Sequence, residues 1–299
     1  MGGYSFRKIY LPAILAVLFW STSPTAFKLG LRFQDSYQLL TGASLTSVAV
    51  LGAIVLLGPR RNLMSELKWR DVWFSAIMGL MNPVAYYLIL FKAYSILPAQ
   101  VAQPLNMVWP IVLVIISIPL LGQRIGWKSL GAMLLSFSGV VVVSWQGGTV
   151  GKDPENRLGI FLALSTSLIW AFYFLLNARD KKDPVIRLFL NFVFASVFLV
   201  LGGIFKHGIW PGSGEAWAAA IYVGIFEMGI TFVLWLMALQ AAPTSDRISN
   251  LVYLAPFLNL GIAHLVLREQ IFGSTIIGII LLVAGILIQN LVRRDGASG

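Results

Sequence analysis

The sequence predicts an all-α integral membrane protein of ten transmembrane helices, arranged as two inverted five-helix repeats around a central cavity. Composition is the first reason. Of 299 residues, 58% are hydrophobic and only 11% charged, with a mean hydropathy of +0.82, which leaves too little polar surface for a water-soluble globule. The second is that the apolar residues fall into ten long stretches, each near the ~20 residues a helix needs to cross ~30 Å of hydrocarbon. The third is that the stretches of the second half echo those of the first. The runs are continuous and do not alternate, which excludes a strand-period barrel. In lipid the backbone must satisfy its own hydrogen bonds, so each stretch reads as a helix.

In chain order, span 1 covers roughly 10–30 behind a basic flank, Arg7 and Lys8. It is too long for the apolar region of a signal peptide and has no clear cleavage site, so it reads as a retained helix. Spans 2 and 3, roughly 36–58 and 70–92, are separated by the basic loop around Arg60–Arg70. Pro98 marks the start of span 4, 98–121, and Gly122-Gln123-Arg124 separates it from span 5, 126–146. The polar segment Gln146–Arg157 joins the halves. Spans 6 to 10 follow at roughly 157–178, 185–205, 215–239, 246–267 and 271–292. The expected domains are 1–147 and 148–299, and residues 1–3 and 297–299 read as flexible ends.

The formal net charge of +10 is not a nucleic-acid footprint. With both termini cytoplasmic, 15 Lys and Arg (7, 8, 60, 61, 68, 70, 124, 128, 179, 181, 182, 187, 247, 293 and 294) face the cytoplasm and 7 (28, 32, 92, 152, 157, 206 and 268) face outward. That bias is the positive-inside rule, and it gives anionic lipid as the partner of these charges. The chain has no cysteine, so disulfides, thiolate nucleophiles and cysteine metal sites are excluded.

The repeat emerges on shifting the chain against itself. A shift of 150 brings Trp20 onto Trp170. A shift of 145 brings Gly79, Asn82, Ala93 and Pro98 onto Gly224, Glu227, Ala238 and Pro243. A shift of 146 brings Pro110 onto Pro256, and Gly122-Gln123-Arg124-Ile125 onto Arg268-Glu269-Gln270-Ile271. Five helices per half force the halves into opposite orientations. Inverted repeats of this kind build secondary transporters, whose substrate site lies near the midplane where the halves meet.

A chain with a Trp in the first helix of each half resembles the EamA-type carriers of the drug/metabolite transporter superfamily. So does a Pro-rich fourth span that runs into Leu-Leu-Gly-Gln-Arg-Ile (120–125), matched by Val-Leu-Arg-Glu-Gln-Ile (266–271). The resemblance covers nearly the whole chain. Within the superfamily it is most similar to the YddG-type exporters of aromatic and other neutral amino acids. It implies a multi-pass carrier of the bacterial inner membrane that exports such amino acids without a cofactor. The family's acidic residue after helix 4 is Gln123 here, and Glu269 keeps it in the second half.

Helical spacing sorts the polar residues onto stripes. Span 1 presents Ala16, Trp20, Ser23 and Phe27; span 3 presents Asn82 and Tyr86; span 4 presents Ala99, Gln103, Asn106 and Pro110. Span 6 presents Thr166, Trp170, Tyr173 and Asn177, and span 8 Gly224, Glu227, Thr231 and Trp235. Span 9 presents Asp246, Asn250, Tyr253, Phe257 and His264. Polar side chains are costly in hydrocarbon, so these stripes are expected to line a shared cavity; interhelical glue is the plainer alternative. The expected substrate-binding residues are Trp20, Ser23, Asn82, Tyr86, Gln103, Asn106, Trp170, Tyr173, Glu227, Thr231, Trp235, Asn250 and Tyr253. Spans 5 and 10 carry small residues instead, and Gly131, Ser136, Gly139, Gly278 and Gly285 are expected at close helix contacts. Pro24, Pro83, Pro104, Pro110 and Pro256 are the expected hinges or static kinks.

Glu227 is the one acidic residue at mid-membrane. A lone carboxylate at that depth is stable when protonated, wet or paired with a substrate ammonium. An aromatic lining with a few amides and hydroxyls suits an apolar side chain on a zwitterionic head. It suits phosphates poorly, since no span holds an Arg/Lys cluster. The alternative substrate is a lipophilic cation or another small metabolite, with Glu227 as counter-charge. An enzyme is disfavoured by the lack of a nucleophile–base pair, a metal cluster or paired carboxylates. A pump is disfavoured by the absence of a Gly-x-x-x-x-Gly-Lys loop. Ten helices from two halves can close a cavity alone, so a monomer is expected.

Overall fold

The computed structural model describes residues 2–109, 111–112, 115–116, 127–145, 153–178, 180, 182–203, 208–241, 251 and 254–295. Among them the chain is helical throughout and contains no strand. The helices are α1 (Gly2–Gly30), α2 (Ser36–Leu56), α3 (Trp69–Gly79), α4 (Tyr86–Ile96), α5 (Ala99–Asn106), α6 (Trp127–Trp145), α7 (Pro154–Ala178), α8 (Pro184–Gly202), α9 (Gly214–Tyr222), α10 (Ile230–Ala241), α11 (Ala255–Leu267) and α12 (Gly273–Asp295). A 3₁₀ segment, Pro59–Glu66, precedes α3. Two interruptions fall in apolar runs: a kink within Leu80–Ala85 between α3 and α4, where Asn82 leaves the helical conformation, and a π-helical segment, Val223–Glu227, between α9 and α10.

Six described helices are long and apolar enough to cross a membrane: Tyr10–Gly30, Ser36–Leu56, Trp69–Ile96, Pro154–Asn177, Pro184–Gly202 and Gly214–Ala238. Shorter apolar helices cover Gly131–Val143, Ala255–Leu267 and Gly273–Ile288. Their free faces carry exposed Leu134, Phe137 and Val141 on α6 and Ile277 and Ile280 on α12, a surface made for hydrocarbon. One terminal expectation is corrected. Gly2 and Gly3 are helical, because α1 propagates eight residues ahead of span 1, each further residue gaining a backbone bond.

The chain divides into two compact units, each assembled from both sequence halves: residues 1–91 with 179–255, and residues 92–178 with 256–299. In the first unit α1 packs along α10, α2 along α8 and α9, and α3 along α8. Two glycines permit the closest approaches. A Cβ on Gly79 would lie 2.4 Å from the Asn191 carbonyl oxygen on α8, and one on Gly224 would lie 2.5 Å from the Ala43 carbonyl oxygen on α2. Aspartate caps set two of the helix starts. Asp35 accepts from the Tyr37 and Gln38 amides at 2.8 and 2.9 Å, and Asp183 from the Val185 and Ile186 amides at 2.9 and 3.1 Å.

In the second unit α6 lies against α12, and α5 packs on α7. The α6–α12 contact is backbone against backbone. A Cβ on Gly139 would meet the Gly278 carbonyl oxygen at 2.6 Å, and one on Gly285 the Ala132 carbonyl oxygen at 2.6 Å. Small residues let helices approach this closely, and dispersion between the backbones holds them. Gly139 with Gly285 and Ala132 with Gly278 are both pairs 146 residues apart, so the two contacts exchange partners. Ser136 Oγ adds a hydrogen bond to the Leu282 carbonyl at 3.2 Å. Gly131 departs from the expected close packing: nothing lies within 4 Å of where its Cβ would be. It adjoins Ala132 of the crossing but lies on the exposed face of α6.

Candidate functional site

The first unit holds Trp20, Ser23, Pro24, Asn82, Pro83, Tyr86, Glu227, Thr231 and Trp235 of the expected site. Asn82 lies at a kink between two helices and Glu227 ends a π-helical segment. The non-helical backbone of Asn82 resets the phase of the helix, so side chains beyond it are rotated relative to an uninterrupted one. That rotation corrects the expected stripe of span 3. At i+4 from Asn82 stands Tyr86, but the residue that meets Glu227 is Tyr87, whose Oη donates to Glu227 Oε1 at 2.9 Å. Tyr86 is buried beside it, its ring T-shaped against Tyr87 at 4.8 Å. Phe27 and Phe91 pack on the other sides of the Tyr87 ring, with centroids at 6.5 and 5.4 Å. Tyr87 is 1% exposed, so its hydroxyl is aimed by packing.

Ser23 of α1 is the second hydroxyl in hydrogen-bonding reach of the Glu227 carboxylate, while its own Oγ also donates to the Phe19 carbonyl at 3.0 Å. The ion pairs among the described residues are Arg60–Asp183, Lys182–Asp71, Arg187–Asp71 and Arg187–Asp180, and none of them involves Glu227. The carboxylate is half-buried, with the Tyr87 hydroxyl as its donor and the Ser23 hydroxyl in reach, and no cation pairs with it among the described residues. Around it the α1–α10 face is aromatic. Phe19 packs on Phe226 at 4.8 Å, and Trp20 sits against Trp235 at 5.3 Å and Phe232 at 5.7 Å. Thr22 and Tyr222 share a hydrogen bond at 2.7 Å.

Two members of the span 8 stripe turn elsewhere. Thr231 Oγ1 donates to the Phe226 carbonyl, which the π segment leaves without its usual partner. Gly224 faces α2, where its carbonyl accepts from Ser47 Oγ at 2.9 Å. Asn82 is 4% exposed, and its Oδ1 has no hydrogen-bond partner among the described residues. Its backbone is extended (φ −145°, ψ 115°), which breaks the helix before Pro83, as expected of the residue preceding a proline. Pro24 lies inside α1 with no break in the helix.

The second unit holds Gln103, Pro104, Asn106, Trp170, Tyr173 and Pro256. Asn106 Nδ2 donates to Thr166 Oγ1 at 2.7 Å, and Ser167 Oγ donates to the Asn106 carbonyl at 2.9 Å, tying α5 to α7. Trp170 stacks on Tyr173 at 5.7 Å with an interplanar angle of 31°. Asn177 Nδ2 caps back onto the Tyr173 carbonyl at 2.7 Å. Gln103 is buried, with Oε1 lacking a partner among the described residues. Pro104 lies within α5. Pro256 is the second residue of α11, in its first turn, where a missing N–H costs nothing. Glu269 is a helix cap: its carboxylate accepts from the Ala99 and Gln100 amides at 2.8 and 3.3 Å, at the start of α5. Asn250, Tyr253 and Pro110, like Gln123, lie outside the described residues.

The sequence reading also missed a charged cluster in the first unit. Arg187 is 3% exposed; its Nε donates to Asp180, and its Nη1 to the Asp71 carbonyl and Ser75 Oγ, both at 2.7 Å. Lys182 pairs with Asp71 at 3.4 Å, and Arg60 with Asp183 at 3.2 Å. Arg60, Lys182 and Arg187, assigned from sequence to anionic lipid, are therefore satisfied by aspartates. The signal was present in the sequence: Arg187 directly precedes an apolar run, as does Asp71.

Ten-stretch hydropathy, apolar helices with lipid-facing flanks, and a polar site built on broken helices define a membrane transporter. The EamA-like transporter family matches residues 7–145 and 157–291, and the chain belongs to that family. It is a multi-pass membrane protein and a transporter, not an enzyme. It is similar to the aromatic amino acid exporter YddG of Ancylobacter novellus, 26% identical over 75% of this chain and 77% of that protein. It is also similar to a probable terminal-alkyne amino-acid exporter of Streptantibioticus cattleyicolor, 25% identical over 95% of each chain. A solved crystal structure, 23% identical, superposes with a TM-score of 0.69 over 95% of this chain and 97% of that one, a likeness of fold.

Proposed function

We propose that this chain is a secondary transporter that exports small neutral solutes, chiefly aromatic and other apolar amino acids, across the bacterial inner membrane by alternating access of two inverted repeats. The observation that carries the reading is Glu227. It is a carboxylate on a broken transmembrane helix, bound by Tyr87, with Ser23 in reach and no cationic partner among the described residues, beside the Trp20–Trp235 aromatic face. A substrate ammonium supplies the missing charge and an aromatic side chain finds a matching wall. The two exporter relatives support the substrate class by name. The partner exchange at Gly139 and Gly285, and the placement of Asn82 and Glu227 at helix interruptions 145 residues apart, support the repeat. Roles for Gln103, Asn106, Trp170, Tyr173, Asn250 and Tyr253 are proposed on the sequence pattern.

The same lone carboxylate favours a second reading, a carrier for lipophilic cations. Counterflow by purified protein in liposomes, with a panel of aromatic amino acids and aromatic amines, separates the two. Preference for the zwitterion supports the export reading, and preference for the cation replaces it. The proposed topology has both termini cytoplasmic. A cysteine placed at Ser65, exposed on the 3₁₀ segment of a chain with no cysteine, then escapes an impermeant thiol reagent in intact cells and reacts in opened membranes.

A further inference from the structure

We infer that Tyr87 is the positioning residue of the substrate-ammonium site. Its hydroxyl fixes one oxygen of the Glu227 carboxylate so that the other is presented to the incoming ammonium. This rests on the proposed role of Glu227. The structural basis is independent of sequence pattern. The Tyr87 ring is clamped by Tyr86, Phe27 and Phe91, and its Oη–Oε1 bond bridges the helix of Asn82 to that of Glu227. Glu has three rotatable bonds, and loss of that freedom opposes binding at an unheld carboxylate. The Tyr87 bond removes it before substrate arrives, which is preorganisation. Tyr87 follows the kink at Asn82 and Glu227 ends the π-helical segment, so the bond joins two interrupted helices.

The test is a double-mutant cycle on the full-length protein: wild type, Tyr87→Phe, Glu227→Gln and the double variant. Binding of L-phenylalanine and of 2-phenylethylamine is measured by titration calorimetry in detergent, alongside L-phenylalanine counterflow in liposomes. Tyr87→Phe keeps the ring packing and removes only the hydroxyl. It is expected to weaken binding of both ammonium ligands roughly tenfold, the scale of one hydrogen bond to a charged group. In the Glu227→Gln background the same change is expected to alter binding less than about twofold. Equal weakening in both backgrounds, or unchanged affinity in Tyr87→Phe, overturns the assignment. The thermal unfolding midpoint of Tyr87→Phe is followed in parallel. If affinity falls only as far as the folded fraction falls, Tyr87 is a packing residue and the assignment is likewise overturned. Wild-type protein that binds the amine through this pair but does not exchange the amino acid leaves the Tyr87 role standing and removes the export reading. Wild-type protein that binds neither ligand removes both.

Discussion

The two helix interruptions of the first unit, the kink at Asn82 and the π segment ending at Glu227, differ in what stands behind them and in what they present. The Asn82 segment is backed by α8, against which Gly79 packs, and α8 is pinned to α3 by the buried Arg187 cluster. The Glu227 segment is backed by α2, against which Gly224 packs, and the freed Gly224 carbonyl is held by a single Ser47 hydroxyl. Charge anchors one and a neutral hydrogen bond anchors the other. The segment with the firmer backing presents a buried amide, whereas the one with the lighter backing presents a half-buried carboxylate. The lesson is a division of labour between related positions. The charge proposed to bind substrate stands on the segment with the least electrostatic anchoring, and the stabilising charges gather at the foot of the other.

The largest expected effect is on that anchoring. Arg187→Ala leaves Asp180 and Asp71 without their shared guanidinium, and breaking a buried pair of this kind costs about 3–5 kcal/mol. The outcome is a steep fall in detergent-solubilised folded protein, read by thermal unfolding. Arg60→Ala, removing a quarter-exposed partner of Asp183, costs about 0–1 kcal/mol in the same assay. If both variants behave alike, the buried cluster is not the anchor.

Next come the glycines, which sharpen the comparison because both segments depend on them. Gly79→Ala and Gly224→Ala each force a Cβ into backbone, at 2.4 and 2.5 Å, and are expected to destabilise by about 1–3 kcal/mol. Gly131→Ala, with open space at its Cβ, is expected to be neutral or slightly stabilising. The smallest effect is that of Ser47→Ala, which strips the Gly224 carbonyl of its hydroxyl and costs about 1 kcal/mol. A loss as large as that of Arg187→Ala would show that the two segments are anchored with equal strength.

Much of the fold was legible because membrane crossing is written in long-range composition. Apolar runs of 19 to 28 residues mark Tyr10–Gly30, Trp69–Ile96 and Pro184–Gly202 without help from tertiary contacts. The close-packing glycines were legible for a similar reason: small residues recurring in otherwise apolar helices have few other uses, and Gly139, Gly278 and Gly285 sit at backbone contact. The site was less legible. A helix kink resets side-chain phase by an amount the sequence does not state, so Tyr86 was expected where Tyr87 meets Glu227. Arg187 was misread because a basic residue at a helix end suits a headgroup and an aspartate equally, and only the fold brings Asp71 and Asp180 to it. Glu227 was legible as a singular charge, but its donors come from residues 140 and 204 positions away.

The most direct test of the account is L-phenylalanine exchange by Glu227→Gln in liposomes at equal internal and external concentrations, compared with wild type. Gln keeps the size of the side chain and removes its charge. The account predicts that exchange falls and that apparent affinity weakens by about 1–3 kcal/mol, the scale of a charge-assisted hydrogen bond, with the amount of folded protein unchanged. Wild-type exchange with wild-type affinity in Glu227→Gln would contradict it.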